Sequence, residues 1–306
     1  MKKRLLADSI LLFVAFIWGA TFVLVQQAIS FLEPFTFNAI RFLFAATILF
    51  IWLLLFNRNQ LKMLNKKFLV AGIMIGTSLF LGYALQTMGL LFTTSSKAGF
   101  ITGLSVVLVP LLGLIILKQK PRSIAVIGSI TATVGLFMLT VGDTFALNKG
   151  DALVLGCAFA FAMHIILTGK YTNEFPTMLL TICQITGVAV LSSIGAFLFE
   201  DWKVAFHVST LLQKDVLIAL LVTSILATAL AFFAQTKLQQ YTTPTRVALI
   251  FATEPVFAAI TAYYWADERL GFLPLIGCVF IFFGMILSEW PARKKKSSTK
   301  LESAAS

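Results

Sequence analysis

Long apolar runs separated by short polar connections recur from one end of this chain to the other. The first two cover residues 9–29 and 34–56. Others follow at about 68–92, 95–117, 122–142, 151–169, 176–199, 215–238, 244–266 and 270–290. Each run approaches the roughly 20 residues a helix needs to cross a hydrocarbon core about 30 Å thick. Ten runs predict an all-α integral membrane protein with ten transmembrane helices, and the short connections make most neighbours antiparallel. The run behind Met1-Lys2-Lys3-Arg4 is too long for a secretory signal core and ends without a small-residue cleavage site, so it is read as a retained span. Pro34 opens the second run, at a helix start where a missing N–H costs little.

Composition agrees: 59% of the 306 residues are hydrophobic, 12% are charged, and the mean hydropathy is +0.93. A soluble domain would be about 45–50% apolar and about 25% charged. The net charge of +11 suggests nucleic acid only until the basic residues are located. Eighteen Lys and Arg fall on the face holding the N-terminus, five on the other, and Arg41 lies within a span. This is the bias of a multi-pass membrane protein with both termini cytoplasmic. Membrane lipids, not nucleic acid, are the expected surroundings. The tail 293–306 is basic, rich in Ser and Lys, and expected to be disordered. Cys157, Cys183 and Cys278 all lie in apolar runs, an odd number without metal-ligand spacing, and read as core residues. No cofactor, metal or nucleotide motif is present.

The chain also matches itself. A shift of 149 residues brings Gln86-Thr87 onto Gln235-Thr236, Thr93-Thr94 onto Thr242-Thr243 and Lys97 onto Arg246. The same shift brings Gly128 onto Gly277 and Gly135 onto Gly284, with no gap from 84 through 140. Earlier in each copy the shift is 143, placing Phe16 on Phe159 and Arg41 on Gln184; the longer loop near 200–214 absorbs the difference. The expected units are therefore 1–142 and 143–292, five helices each. Five is odd, so the second copy enters the membrane inverted. Inverted repeats give many secondary carriers their two related conformations, with substrate held between the repeats near mid-membrane.

The residues resemble those of the EamA family of the drug/metabolite transporter superfamily over nearly the whole chain. The resemblance rests on Phe16-Ile17-Trp18-Gly19, Arg41-Phe42 at the start of the second span, Glu254-Pro255-Val256, and Asp267-Glu268-Arg269. It implies a ten-helix carrier of small metabolites in a bacterial inner membrane, often an exporter of amino acids or related compounds. Lys118-Gln119-Lys120 replaces the acid-then-base step in the first copy, so any role of that acid rests on the second copy.

Several intramembrane polar residues are candidates for a substrate cavity. Glu254 has the highest cost, about 2.5–3.5 kcal/mol at mid-bilayer on insertion scales, and Pro255 beside it leaves a backbone acceptor free. It is the proton-coupling candidate, with a fixed structural partnership as the competing reading. The alignment places Ser105 and Val106 opposite Glu254 and Pro255, so the acid belongs to one copy only. Trp18 reads as a cavity wall beside Gly19, or as a packing residue. Gln86 and Gln235 hold equivalent places, and Tyr83 shares a helix face with Gln86. His164 and Gln184 lie in the second copy's first two spans. Arg41 can snorkel, join an ion pair or meet an anionic substrate group. Gly99, Gly103, Gly113, Gly128 and Gly135 suggest close helix approaches, and Pro110 and Pro255 suggest kinks. Together these favour a secondary transporter of a small molecule, not an enzyme. A membrane-embedded enzyme or a non-transporting membrane protein is the alternative, although no defensible nucleophile, paired aspartates or HExxH motif is present.

Overall fold

A computed structural model describes residues 2–118, 120–140, 148–265 and 271–289. The boundary near 142, the Asp267-Glu268-Arg269 step and the tail 293–306 lie outside the described residues. Among those described, all regular structure is helical. The first half contains α1 (Lys2–Ala28), α2 (Pro34–Phe56), α3 (Lys66–Gly89), α4 (Ser95–Gly103), α5 (Ser105–Ile116) and α6 (Ser123–Thr140). The second half contains α7 (Lys149–Tyr171), α8 (Thr177–Phe199), a short α9 (Val208–Leu211) and α10 (Lys214–Ser224). A π-helical turn (Ile225–Leu230) leads into α11 (Ala231–Leu238), followed by α12 (Pro244–Phe251), α13 (Glu254–Trp265) and α14 (Phe272–Glu289).

Among the described residues, eight stretches are long and apolar enough to cross a membrane, counting α4–α5, α10–α11 and α12–α13 as one each. Two shorter apolar helices, Ser123–Met138 and Phe272–Leu287, occupy the fifth and tenth expected places. The chain is thus an all-α multi-pass membrane protein. Large apolar side chains such as Leu55, Phe197 and Val279 point outward, as contact with lipid tails requires. Helices in lipid gain little from apolar burial against each other, so close packing and polar contacts must hold the bundle together.

Helix starts follow local chemistry. Thr94 accepts from the Lys97 N–H at 3.2 Å, and Thr243 from the Arg246 N–H at 3.4 Å. Asn148 and Asp151 form a reciprocal capping box, each bond 2.9 Å. Packing interleaves the two halves: α3 lies on α7 and α8, α2 on α8, α1 on α13, α5 on α12, and α6 on α14.

One crossing depends on a pair of glycines. A Cβ added to Gly135 would sit 2.6 Å from the Gly277 carbonyl, and one added to Gly284 would sit 2.5 Å from the Gly128 carbonyl. The α6–α14 contact is therefore reciprocal, made by residues that the 149-residue shift pairs. Gly113 differs from expectation, since open space surrounds its Cβ position. Gly99 faces α13 at ordinary contact distances, while a Cβ on Gly103 would meet Leu136 of α6 at 3.0 Å and Pro255 of α13 at 3.3 Å.

The breaks in the two crossing spans also differ from a simple proline rule. Span four is interrupted at Leu104, where the Leu104 N–H reaches the Ile101 carbonyl at 3.1 Å. Span nine is interrupted at Ala252-Thr253, where the Thr253 N–H reaches the Ile250 carbonyl at 3.1 Å. These positions correspond under the 149-residue shift, yet only the second precedes a proline. Pro110 lies inside α5 without interrupting it. A tightened turn, not proline itself, is thus the common feature.

Candidate functional site

Beside both breaks lies a cavity with about 750 Å³ of free space, including its mouth. Both halves build it: Trp18, Thr21 and Phe22 from α1, Arg41 from α2, Tyr83 and Gln86 from α3, and Ser105 from α5. Opposite them stand Phe161 and His164 from α7, Phe232 and Gln235 from α11, Phe251 from α12, and Glu254 from α13.

The π-helical turn anchors two of these residues. Trp18 Nε1 donates to the Ala227 carbonyl at 2.8 Å, and its ring lies 5.2 Å from Phe232 and 4.8 Å from Phe251. Arg41 Nε donates to Thr228 Oγ1 at 2.7 Å. A π-turn widens the helix and re-aims its groups, which suits Ala227 and Thr228 to these long-range contacts. Trp18 is therefore both a cavity wall and a packed residue.

Arg41 is only 3% exposed, so it does not snorkel. Its guanidinium lies 4.8 Å from the centre of the Tyr83 ring and 5.2 Å from that of Phe42. A longer bond, 3.5 Å, runs from Nη2 to the Tyr83 hydroxyl. Among the described residues no carboxylate pairs with it. Glu254 is the first residue of α13, and its carboxylate likewise takes no hydrogen bond or ion pair from the described residues. The cavity thus holds a guanidinium and a carboxyl group that are not spent on each other.

The amides and imidazole divide. Gln86 Nε2 donates to Thr102 Oγ1 at 3.2 Å. Gln235 is 1% exposed, and its Oε1 has no partner among the described residues, leaving a buried acceptor at the cavity wall. Gln184 is set back from the cavity, fully buried behind His164. His164 Nε2 donates to Gln184 Oε1 at 2.7 Å, and Gln184 Nε2 donates to Thr236 Oγ1 at 2.9 Å. Gly19 also departs from expectation. Its Cβ position meets the Glu254 carbonyl of α13 at 2.5 Å, so it serves helix contact and does not widen the cavity.

Sequence reasoning missed the aromatic residues Phe161, Phe232 and Phe251, which thirty phenylalanines made hard to single out. Phe161 had a signal, because the 143-residue shift places it on Trp18. The same shift places Asp8 on Asp151, and both of these acids prove to be ion-paired. Among the described residues no cluster of metal-binding side chains occurs.

The profile of the EamA-like transporter family matches twice, at residues 5–141 and 148–290. The chain belongs to that family. A relative from Archaeoglobus fulgidus, called an uncharacterized transporter, is 35% identical over 285 residues, covering 93% of this chain and 86% of its own. The uncharacterized transporter YyaM of Bacillus subtilis is 25% identical, with 94% of each chain covered. A solved crystal structure superposes with a TM-score of 0.74 at 18% identity, covering 92% of this chain and 96% of its own, which supports the fold alone. An EamA-like transporter of this kind handles a small molecule in a lipid environment, and the cavity is the place where its own residues could hold one.

Proposed function

We propose that this EamA-like protein is a secondary carrier that exports an amino acid or a related zwitterionic metabolite by alternating access. The moving parts are two inverted five-helix repeats, 1–142 and 143–292. The setting is a bacterial inner membrane, with both termini and the basic tail cytoplasmic. One observation carries the reading: Arg41 and Glu254 line the same cavity, and neither is neutralised by the other or by another described residue. A guanidinium matches a carboxylate's geometry, a carboxylate matches an ammonium group, and a substrate bearing both would discharge the cost of each. The aromatic faces of Trp18, Phe161 and Phe232 suit an apolar side chain between the two charged ends.

Trp18, Tyr83, Gln86, His164, Gln235 and Glu254 are the substrate-facing residues on this reading. Gln184 acts through His164, Arg41 is the anion-binding group, and Glu254 is also the proton-coupling candidate. The breaks at Leu104 and Ala252-Thr253 favour the same place, because interrupted helices beside mid-membrane cavities recur in carriers. Purified protein in liposomes should move labelled apolar amino acids saturably, with competition among zwitterions and little from decarboxylated amines. No saturable flux across a broad panel of amino acids and metabolites would overturn the reading.

A further inference from the structure

Two ion pairs outside the cavity have the same plan at opposite ends of the bundle. Near the N-terminal end of α1, Asp8 receives both arms of Arg246 from the first turn of α12, with Nε to Oδ1 at 3.0 Å. At the opposite face, where α4 and α7 begin, Lys97 Nζ lies 2.7 Å from Asp151 Oδ2. The two acids correspond under the 143-residue shift and the two bases under the 149-residue shift. Each pair takes its acid from the first span of one copy and its base from the fourth span of the other.

Both pairs are largely shielded: Asp8 is 9% exposed, Arg246 7% and Asp151 1%. Ion pairs this buried resist separation, because parting them leaves charges that must be rehydrated or paired anew. Their placement matters more than their strength. Each ties the cavity-forming spans together at one face, and the cavity lies between the two ties. Opening the cavity toward either face requires α1 and α12, or α4 and α7, to separate there.

The geometry points to Asp8–Arg246 and Lys97–Asp151 as a matched pair of latches, each closing the cavity to one membrane face and released in alternation. This rests on the alternating-access reading above and assigns it four residues outside the cavity. The latches differ in what release leaves behind. Asp151 still accepts from Thr93 Oγ1 at 2.8 Å and from the Asn148 N–H at 2.9 Å once Lys97 departs. Among the described residues the Asp8 carboxylate bonds Arg246 alone. Lys97→Gln therefore opens one latch without stranding a carboxylate, and Asp8→Asn opens the other by removing its acid.

The test places one cysteine at Thr21 in the cavity wall, with Cys157, Cys183 and Cys278 changed to Ala. A membrane-impermeant thiol reagent is then applied to oriented vesicles from each side. Asp8→Asn should raise the labelling rate from the face carrying the N-terminus by roughly threefold or more and lower it from the other. Lys97→Gln should do the reverse. Because Asp8→Asn could act by misfolding, the exchange Asp8→Arg with Arg246→Asp is included, and it should return labelling toward the parent pattern. The latches are overturned if both variants move labelling the same way, if neither moves it, or if the exchange fails to restore it. Opposite shifts in vesicles that move no solute would uphold the latches and remove the carrier reading instead.

Discussion

Replacing Gly19 with alanine tests how tightly α1 and α13 are joined behind the cavity. The added Cβ would lie 2.5 Å from the Glu254 carbonyl oxygen, 2.7 Å from Phe257 Cβ and 2.8 Å from the Ala258 nitrogen. Two of these are backbone atoms, so no side-chain rotation relieves the overlap. A carbon–oxygen contact of about 3.3 Å would require the helices to part by most of an ångström, and such overpacking costs ~1–3 kcal/mol. Alanine's better helix propensity returns at most ~1 kcal/mol. With that full offset a net loss of up to about 2 kcal/mol follows, alongside a shift of the backbone that carries Glu254. Gly99→Ala is the control, because its Cβ would meet Pro255 and Ala258 at 3.6–3.9 Å, which is ordinary contact. Tryptophan fluorescence during heating at one fixed scan rate should show a midpoint lower by several degrees for Gly19→Ala and unchanged or slightly higher for Gly99→Ala. Flux should fall in Gly19→Ala and persist in Gly99→Ala. Equal stability and flux for Gly19→Ala, or equal damage from Gly99→Ala, would refute the reasoning.

Arg41→Met keeps much of the side chain's volume but removes its charge, and should weaken uptake of carboxylate-bearing substrates at least tenfold; equal affinity would exclude Arg41 from binding. Glu254→Gln should flatten the response of flux to an imposed pH gradient in liposomes, and wild-type flux that ignores the gradient would end the proton role. Trp18→Phe forfeits the bond to the Ala227 carbonyl and should cost about 1–2 kcal/mol in the same melting assay. Its loss should be accompanied by faster hydrogen exchange around residues 225–230, and unchanged exchange there would show that the indole does not hold the π-turn.

Much of the architecture was legible because lipid is a demanding solvent. Backbone groups within it must bond internally, so every run long enough to cross becomes a helix, and counting runs nearly amounts to reading the fold. The self-match was visible because gap-free correspondence of Gln86 with Gln235 and Lys97 with Arg246 needs only the order of residues. Candidate cavity residues stood out because polar groups are expensive in an apolar span, and this drew notice to Arg41, His164 and Glu254. Periodicity could not say which polar residue faces the cavity and which stands behind. Gln184 and Gln235 looked alike in sequence, yet one is bonded to His164 and Thr236 while the other has an Oε1 without a partner among the described residues.

The chain by itself determined that this is a helical membrane protein whose spans carry costly polar groups and whose residues match one another under a fixed shift. Those properties depend on composition, spacing and order. Tertiary structure decided what each group meets: that Gly19 serves a helix crossing, that Trp18 reaches the carbonyl of a π-turn in the other half, and that Arg41 and Glu254 line one cavity without an ion pair among the described residues. It also joined Asp8 to Arg246 across 238 positions of sequence. Such contacts depend on the relative rotation and depth of helices distant in the chain, which short-range pattern does not encode.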